Sequence, residues 1–225
     1  MDAVTFVSGS RRAAGAFNSQ ASFAQLFLLR LNQVIALVLL CALSPLLLTI
    51  AFFIWQKDGA PIVFGHYRVG CGGKLFRCLK FRTMLRDSER ILADLLRDDP
   101  ESRSEWDADQ KLLNDPRITS VGRFLRSSSL DELPQLLNVV RGEMLLVGPR
   151  PVTVAELTRY GRLRWHYLSV RPGITGLWQV SGRNNTTYEQ RVALDAHYVE
   201  NRSLLGDIGI LLRTILVVIL KDGAR

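Results

Sequence analysis

The run SSSLDELPQL, Ser127 to Leu136, sets two carboxylates side by side, Asp131 and Glu132, ahead of an apolar segment and among Arg123, Arg126 and Arg141. Two roles suit that arrangement. Ser129-x-x-Glu132 matches a capping box, in which the serine and glutamate side chains satisfy the first free N–H groups of a helix. Asp131 in a first turn would also favour the helix dipole. Pro134 fits this reading poorly, because with Ser129 as the cap it falls where a backbone bond should close; a helix starting nearer Asp131 avoids the conflict. The other role is chemistry at phosphorus. A helix N-terminus collects phosphate oxygens through free N–H groups and its dipole. A carboxylate there is expected to have a lowered pKa and to stay ionised. An anionic aspartate can attack phosphorus if cations offset the repulsion. Mg²⁺ held by the neighbouring carboxylate, helped by arginines, would do so. The motif alone leaves both roles open.

Other reactive side chains form no constellation. His66, His166 and His197 are scattered, and the three cysteines, Cys41, Cys71 and Cys78, show neither a CxxC pair nor a metal spacing, which fits a reducing compartment. There is no GxGxxG or P-loop sequence, so a phosphate site has to be built from helix N-termini and arginines. The net charge of +8 suits nucleic acid, an anionic membrane surface or a phosphorylated small molecule. No helix-turn-helix, zinc-finger or RNP pattern is visible, so a nucleic-acid partner is not expected.

The elements that must hold the carboxylates begin with a membrane segment. Val34 to Trp55 reads VIALVLLCALSPLLLTIAFFIW without a charge. At roughly 1.5 Å per residue, such a run can cross a hydrocarbon core, and it is too uniformly apolar for an ordinary buried helix. Pro45 removes a backbone donor in its middle, and the Ser44 hydroxyl is a candidate partner for the freed group. Arg11, Arg12 and Arg30 precede the run, and Lys57, His66, Arg68, Lys74, Arg77 and Lys80 follow it. Both flanks therefore look cytoplasmic under the positive-inside rule, and a helix that bends at Ser44-Pro45 and leaves by its own face satisfies them; a straight span is the alternative. Residues 1–25 lack a compact apolar core, so they are expected to be a partly disordered tail rather than a signal peptide. Ser203 to Leu220 is amphipathic, with Leu204, Ile208, Leu211, Leu212, Ile215 and Ile219 at helical spacing, and is expected in the membrane interface.

Between these lie a β-hairpin around Gly70–Gly73, two polar helices broken at Pro100, and a helix through Val140 stopped by Gly142. A short strand ends in Gly148-Pro149-Arg150-Pro151. RPGITGLWQVSGRNN is expected as a loop or small hairpin, and the segment after it as a helix. The fold class is α+β, mostly helical. The division is a tail over 1–25, a membrane helix over 26–56 and a cytosolic catalytic domain over 57–225.

Read in order, several blocks together resemble the bacterial sugar transferases, the monotopic polyprenyl-phosphate phosphoglycosyl transferases that start exopolysaccharide and O-antigen synthesis. They are the Ser44-Pro45 helix, KFRTM at Lys80 to Met84, DPRIT and VGRFLR at Asp115 to Arg126, SLDELPQLLNVVRGEMLLVGPRP at Ser129 to Pro151, RPGITGLWQVSGRN at Arg171 to Asn184, and YVENRSLL. The resemblance spans roughly residues 30 to 222, without the multi-span extension of longer members. It implies a re-entrant helix at the cytoplasmic face of the bacterial inner membrane. It implies transfer of a hexose 1-phosphate, galactose or glucose, from a UDP-sugar to undecaprenyl phosphate, with release of UMP. Asp131 matches the family nucleophile and Glu132 its partner at Mg²⁺. Lys80 and Arg82 suit the lipid phosphate, and Arg150 the diphosphate. Arg171 and Arg183 suit UDP, with Arg126 as a further cation, Asp195 as a polar partner in the site, and Trp178 and Gln179 near nucleoside or sugar. Apolar helices at an interface also offer surface for a homodimer. The competing expectation is a non-catalytic membrane-anchored adaptor of a polysaccharide assembly complex, with the acids acting only as a cap.

Overall fold

A computed structural model describes residues 23–109, 112–182 and 186–220. The expected N-terminal tail lies almost wholly outside them. The first helix, α1 (Phe23–Asp58), holds the apolar run and continues through Pro45. It is about 54 Å long at 1.5 Å per residue. The ring nitrogen of Pro45 leaves the Cys41 carbonyl without its helical donor, and the Ser44 hydroxyl donates to that carbonyl at 2.8 Å. The Thr49 hydroxyl donates to the Pro45 carbonyl, also at 2.8 Å.

Only 11 % of the apolar window of α1 is buried, so it is not a core helix. Leu37, Val38, Leu48, Phe52 and Trp55 are among its exposed side chains. One stripe nevertheless packs on the body along its length. Ala36, with Leu40 and Leu43, joins a cluster containing Phe76, Leu136, Val139 and Met144. Further along, Ile50 and Ile54 pack with Phe81 and Leu125. Polar ties reinforce the first contact: Asn32 accepts from the Leu146 N–H at 2.9 Å, and Gln33 donates to the Val140 carbonyl at 2.8 Å.

The hairpin forms as expected. β1 (Val63–Val69) pairs antiparallel with β2 (Leu75–Phe81), from Val63 opposite Phe81 to Val69 opposite Leu75. Two polar helices follow, α2 (Ser88–Asp98) and α3 (Pro100–Asp109), divided at Pro100. Then come α4 (Ser120–Ser127), a 3₁₀ turn over Leu130–Glu132, and α5 (Gln135–Val140). Gly142, at φ +74°, ends that helix by donating its N–H to the Val139 carbonyl.

β3 (Leu145–Val147) leads to the short α6 (Val154–Thr158) and α7 (Arg164–Ser169). The next segment departs from the expected loop or hairpin. β4 (Gly173–Thr175) pairs in parallel with β3, and α8 (Leu177–Val180) follows. Its glycines serve close backbone approach rather than turns: a Cβ on Gly173 or Gly176 would strike the backbone of Gly148. The last helices are α9 (Tyr188–Glu200) and α10 (Leu204–Leu220). Ile210 of α10 is buried in the first cluster, while Leu205, Ile208, Leu212, Ile215 and Leu216 are exposed.

Candidate active site

Asp131 and Glu132 lie in the 3₁₀ turn and do not cap α5. Ser129 is left-handed, at φ 57°, with no side-chain capping bond, and the residue preceding α5 is Pro134. The capping-box reading fails because Ser129 lacks the extended backbone of a cap, and the Glu132 carboxylate faces cations. Lys80 Nζ lies 2.7 Å from its Oε1 and 3.2 Å from Oδ2 of Asp131, and Arg150 reaches the same Oε1 at 3.3 Å.

Each cation is delivered by its own element. Lys80 sits near the end of β2, and that strand is pinned to α5 by the fully buried Asn138. The Asn138 side chain accepts from the Leu79 N–H at 3.0 Å and donates to the Arg77 carbonyl at 2.8 Å. Arg150 leaves the end of β3, beside the fully buried Pro149. Arg126 is in the last turn of α4, and its Nε donates to the Thr83 hydroxyl at 2.9 Å. Gly122 permits that approach, because a Cβ there would strike the Thr83 backbone. The Thr119 hydroxyl caps α4 by accepting from the Gly122 N–H at 3.0 Å. Before α4, Asp115 and Arg117 form a buried two-point pair at 2.8 and 2.6 Å, with the Arg117 guanidinium over the Trp106 ring.

The two acids differ electrically. Burial pushes Glu132 up, but Lys80 and Arg150 outweigh it and hold the carboxyl at about 2. Asp131 goes the other way: burial raises its pKa above the ordinary value, Lys80 opposes this and the Glu132 charge adds to it. The lowered pKa expected for Asp131 from a helix N-terminus is therefore corrected. Asp131 is 7 % exposed and lies in a 3₁₀ turn rather than at the start of α5, so desolvation dominates.

No group of three or more Asp, Glu, His or Cys that could hold a metal occurs among the described residues. Mg²⁺ does not require one, since it binds through one or two carboxylates together with water and substrate phosphates. The ion pairs engage Oδ2 of Asp131 and Oε1 of Glu132, and among the described residues the second oxygen of each carboxylate is in none. The pair is chemically suited to the ion.

Lys80, Arg126, Asp131, Glu132 and Arg150 thus come together. Asp195 stands one layer behind: it is 3 % exposed, accepts from the Tyr160 hydroxyl at 2.7 Å, and is pushed by burial to about 6, with Arg191 and Arg150 opposing the shift. Arg82 lies at the foot of α1 and donates to the Asp58 and Gly59 carbonyls at 2.8 and 2.7 Å. Arg171 donates to the Gly142 carbonyl at 2.8 Å, and Gln179 to the Ile174 carbonyl at 2.9 Å. Arg183 lies outside the described residues.

Sequence reading missed Arg191. It is 8 % exposed on α9, 4.6 Å from the centre of the Trp178 ring, whose own centre is 5.8 Å from Arg150. The available signal was its i,i+4 spacing from Asp195, which puts both on the buried face of α9 with Val192 and Ala196. Glu156 was missed as well; it pairs with Arg68 at 2.8 Å and faces Arg191 at 4.0 Å.

Comparison with known proteins gives a consistent result. The family model described as bacterial sugar transferase matches residues 24–221. The chain is 53 % identical over 92 % of its length to a UDP-galactose-lipid carrier transferase of Erwinia amylovora, covering 43 % of that protein. It is 50 % identical over 92 % of its length to the undecaprenyl-phosphate galactose phosphotransferase of Salmonella typhimurium, covering 44 % of it. It is also 50 % identical over 86 % of its length to the exopolysaccharide production protein ExoY of Sinorhizobium fredii, covering 85 % of it. The chain therefore spans under half the length of the first two relatives and most of the third. With a match running from the start of α1 to the end of α10 and around the whole carboxylate–cation cluster, the chain belongs to the bacterial sugar transferase family.

Proposed function

We propose that the chain is a phosphoglycosyl transferase. It moves a hexose 1-phosphate, galactose or glucose, from a UDP-sugar to undecaprenyl phosphate at the cytoplasmic face of the bacterial inner membrane. The observation that carries this reading is a pair of adjacent carboxylates, Asp131 buried and Glu132 half-buried, that caps nothing and shares one lysine. Related proteins named for galactose and glucose transfer to undecaprenyl phosphate support the substrate class.

The Asp131 carboxylate attacks the β-phosphorus of the UDP-sugar. The bond from that phosphorus to the bridging oxygen breaks, UMP departs with the electron pair, and an aspartyl phosphosugar remains. A phosphate oxygen of undecaprenyl phosphate then attacks the same phosphorus. The bond to Asp131 breaks, and a diphosphate-linked lipid sugar leaves with the carboxylate restored. Burial of Asp131 strips water from the nucleophile, and Lys80 orients it while screening the incoming anion. Arg150 and Arg126 offset charge on the diphosphate. Glu132, ionised at neutral pH by its two cations, would hold Mg²⁺ together with the substrate phosphates. When bound, the ion supplies neutralisation of phosphate charge.

A monotopic seating of α1 suits this chemistry. The helix packs on the catalytic body through Ala36 and again through Ile54, so both of its halves sit beside one body while its other face stays apolar. The exposed apolar face of α10 suits the same interface.

Asp131→Asn tests the reading. UMP release should fall by about a thousandfold or more, and the phosphosugar adduct seen by intact mass after quenching wild type with UDP-galactose or UDP-glucose should vanish. Turnover retained in that variant would refute the nucleophile.

A further inference from the structure

Where α1 ends, a cavity of about 340 Å³ opens beside the first turn of α2, with Lys57, Asp58, Arg82, Arg86, Asp87 and Ile91 among its lining residues. Arg82 is only 7 % exposed. Its Nη2 donates to the carbonyls of Asp58 and Gly59, but its Nε and Nη1 are buried without a partner, and so is Oδ2 of Asp58. Buried donors of a charged group left unpaired are costly, which points to a ligand that accepts from them. The cavity is separate from the carboxylate pair. Neither Asp131 nor Glu132 lines it, and Arg82 bonds the Asp58 and Gly59 carbonyls whereas Lys80 bonds the two acids.

Charge and position select the ligand. Three cations line the cavity against two carboxylates, so one positive charge is in excess. A phosphodiester carries one negative charge and matches it, while a phosphomonoester carries about −1.5 to −2 at neutral pH. The cavity follows directly on Trp55, an exposed residue of the kind that settles at headgroup level.

We propose that this cavity binds the phosphodiester headgroup of a bilayer phospholipid, with Arg82, Arg86 and Lys57 taking the phosphate. The site rests on the bilayer seating of α1 proposed above. It fixes the depth of the α1 end, and it gives Arg82 a bilayer lipid, not the acceptor lipid, as its partner.

The test uses the full chain in detergent, followed by native mass spectrometry with dioleoylphosphatidylglycerol, undecaprenyl phosphate and inorganic phosphate as separate probes. One phosphatidylglycerol should bind, about tenfold or more weakly in the Lys57→Gln/Arg86→Gln double variant, and neither undecaprenyl phosphate nor inorganic phosphate should displace it at equal concentration. Arg86→Ala alone, chosen for a melting temperature equal to wild type, should show a smaller loss in the same direction. Equal lipid binding by wild type and both variants would overturn the site, as would displacement by undecaprenyl phosphate or inorganic phosphate. Flotation with phosphatidylcholine vesicles separates the two layers of inference. A chain that floats but shows no variant effect loses only the headgroup site, and a chain that does not float loses the seating of α1 and the site with it.

Discussion

Two of the stretches in which a hydroxyl residue is followed three positions later by glutamate end in different places. Thr153 and Glu156 form a true capping box: Thr153 is extended at φ −75°, its hydroxyl accepts from the Glu156 N–H at 3.1 Å, and Glu156 accepts from the Thr153 N–H at 2.8 Å. Ser129 and Glu132 make neither bond. Ser129 is left-handed, and Glu132 faces Lys80 and Arg150. Long-range cations alone do not separate the two, since Glu156 keeps its cap while pairing with Arg68 at 2.8 Å; the backbone does, because a capping residue is extended and Ser129 is not.

Substitutions can erase the contrast or deepen it. Of the substitutions that bear on this contrast, Lys80→Met should have the largest effect. It removes the cation shared by Asp131 and Glu132, and UMP release should drop by about a hundredfold or more. The pH dependence carries a second readout. The Glu132 carboxyl is held at about 2 against its usual 4.5, so its contribution to stability is full above roughly pH 4.5 and is lost as pH falls toward 2. Removing Lys80 should move that loss to higher pH, measured as melting temperature against pH; an unchanged acid limb would mean that Arg150 alone holds the charge.

Thr153→Ala should cost about 1 kcal/mol of stability by denaturant unfolding while UMP release stays at the wild-type rate. A drop in activity comparable to that of Lys80→Met would tie α6 to the reaction. Ser129→Gly should have the smallest effect, a gain of a few tenths of a kcal/mol, because the position needs a left-handed backbone and its side chain makes no capping bond. A loss of about 1 kcal/mol there would restore a structural role for the hydroxyl.

The parts of the fold legible in the sequence were those with local causes. Gly142 stops α5, Pro100 divides the two polar helices, Gly70–Gly73 turns the hairpin, and Ser44 answers the carbonyl freed by Pro45. The parts that escaped were set by distant neighbours. Gly173 and Gly176 read as turn residues because nothing local reveals that the Gly148 backbone passes against them. Lys80 and Arg82 look alike in sequence, two residues apart, yet only Lys80 meets the carboxylates; Arg82 follows the end of β2 and turns to the foot of α1. The pKa of Asp131 was misread for the same reason, since burial depends on the whole surrounding packing. The acid pair itself was plain from its neighbours in the chain, but its choice between cap and cluster was not.

The way α1 is built into the body also bears on engineering. Trimming residues 23–58 to obtain a freely water-soluble enzyme would remove Ala36, Ile50 and Ile54 from two hydrophobic clusters, and the Asn32 acceptor from Leu146. The remainder would expose Phe81 and Leu125 and lose one wall of its interior. A soluble form is better sought by replacing outward-facing residues such as Val38 and Leu48 with polar ones, which leaves the inward stripe intact.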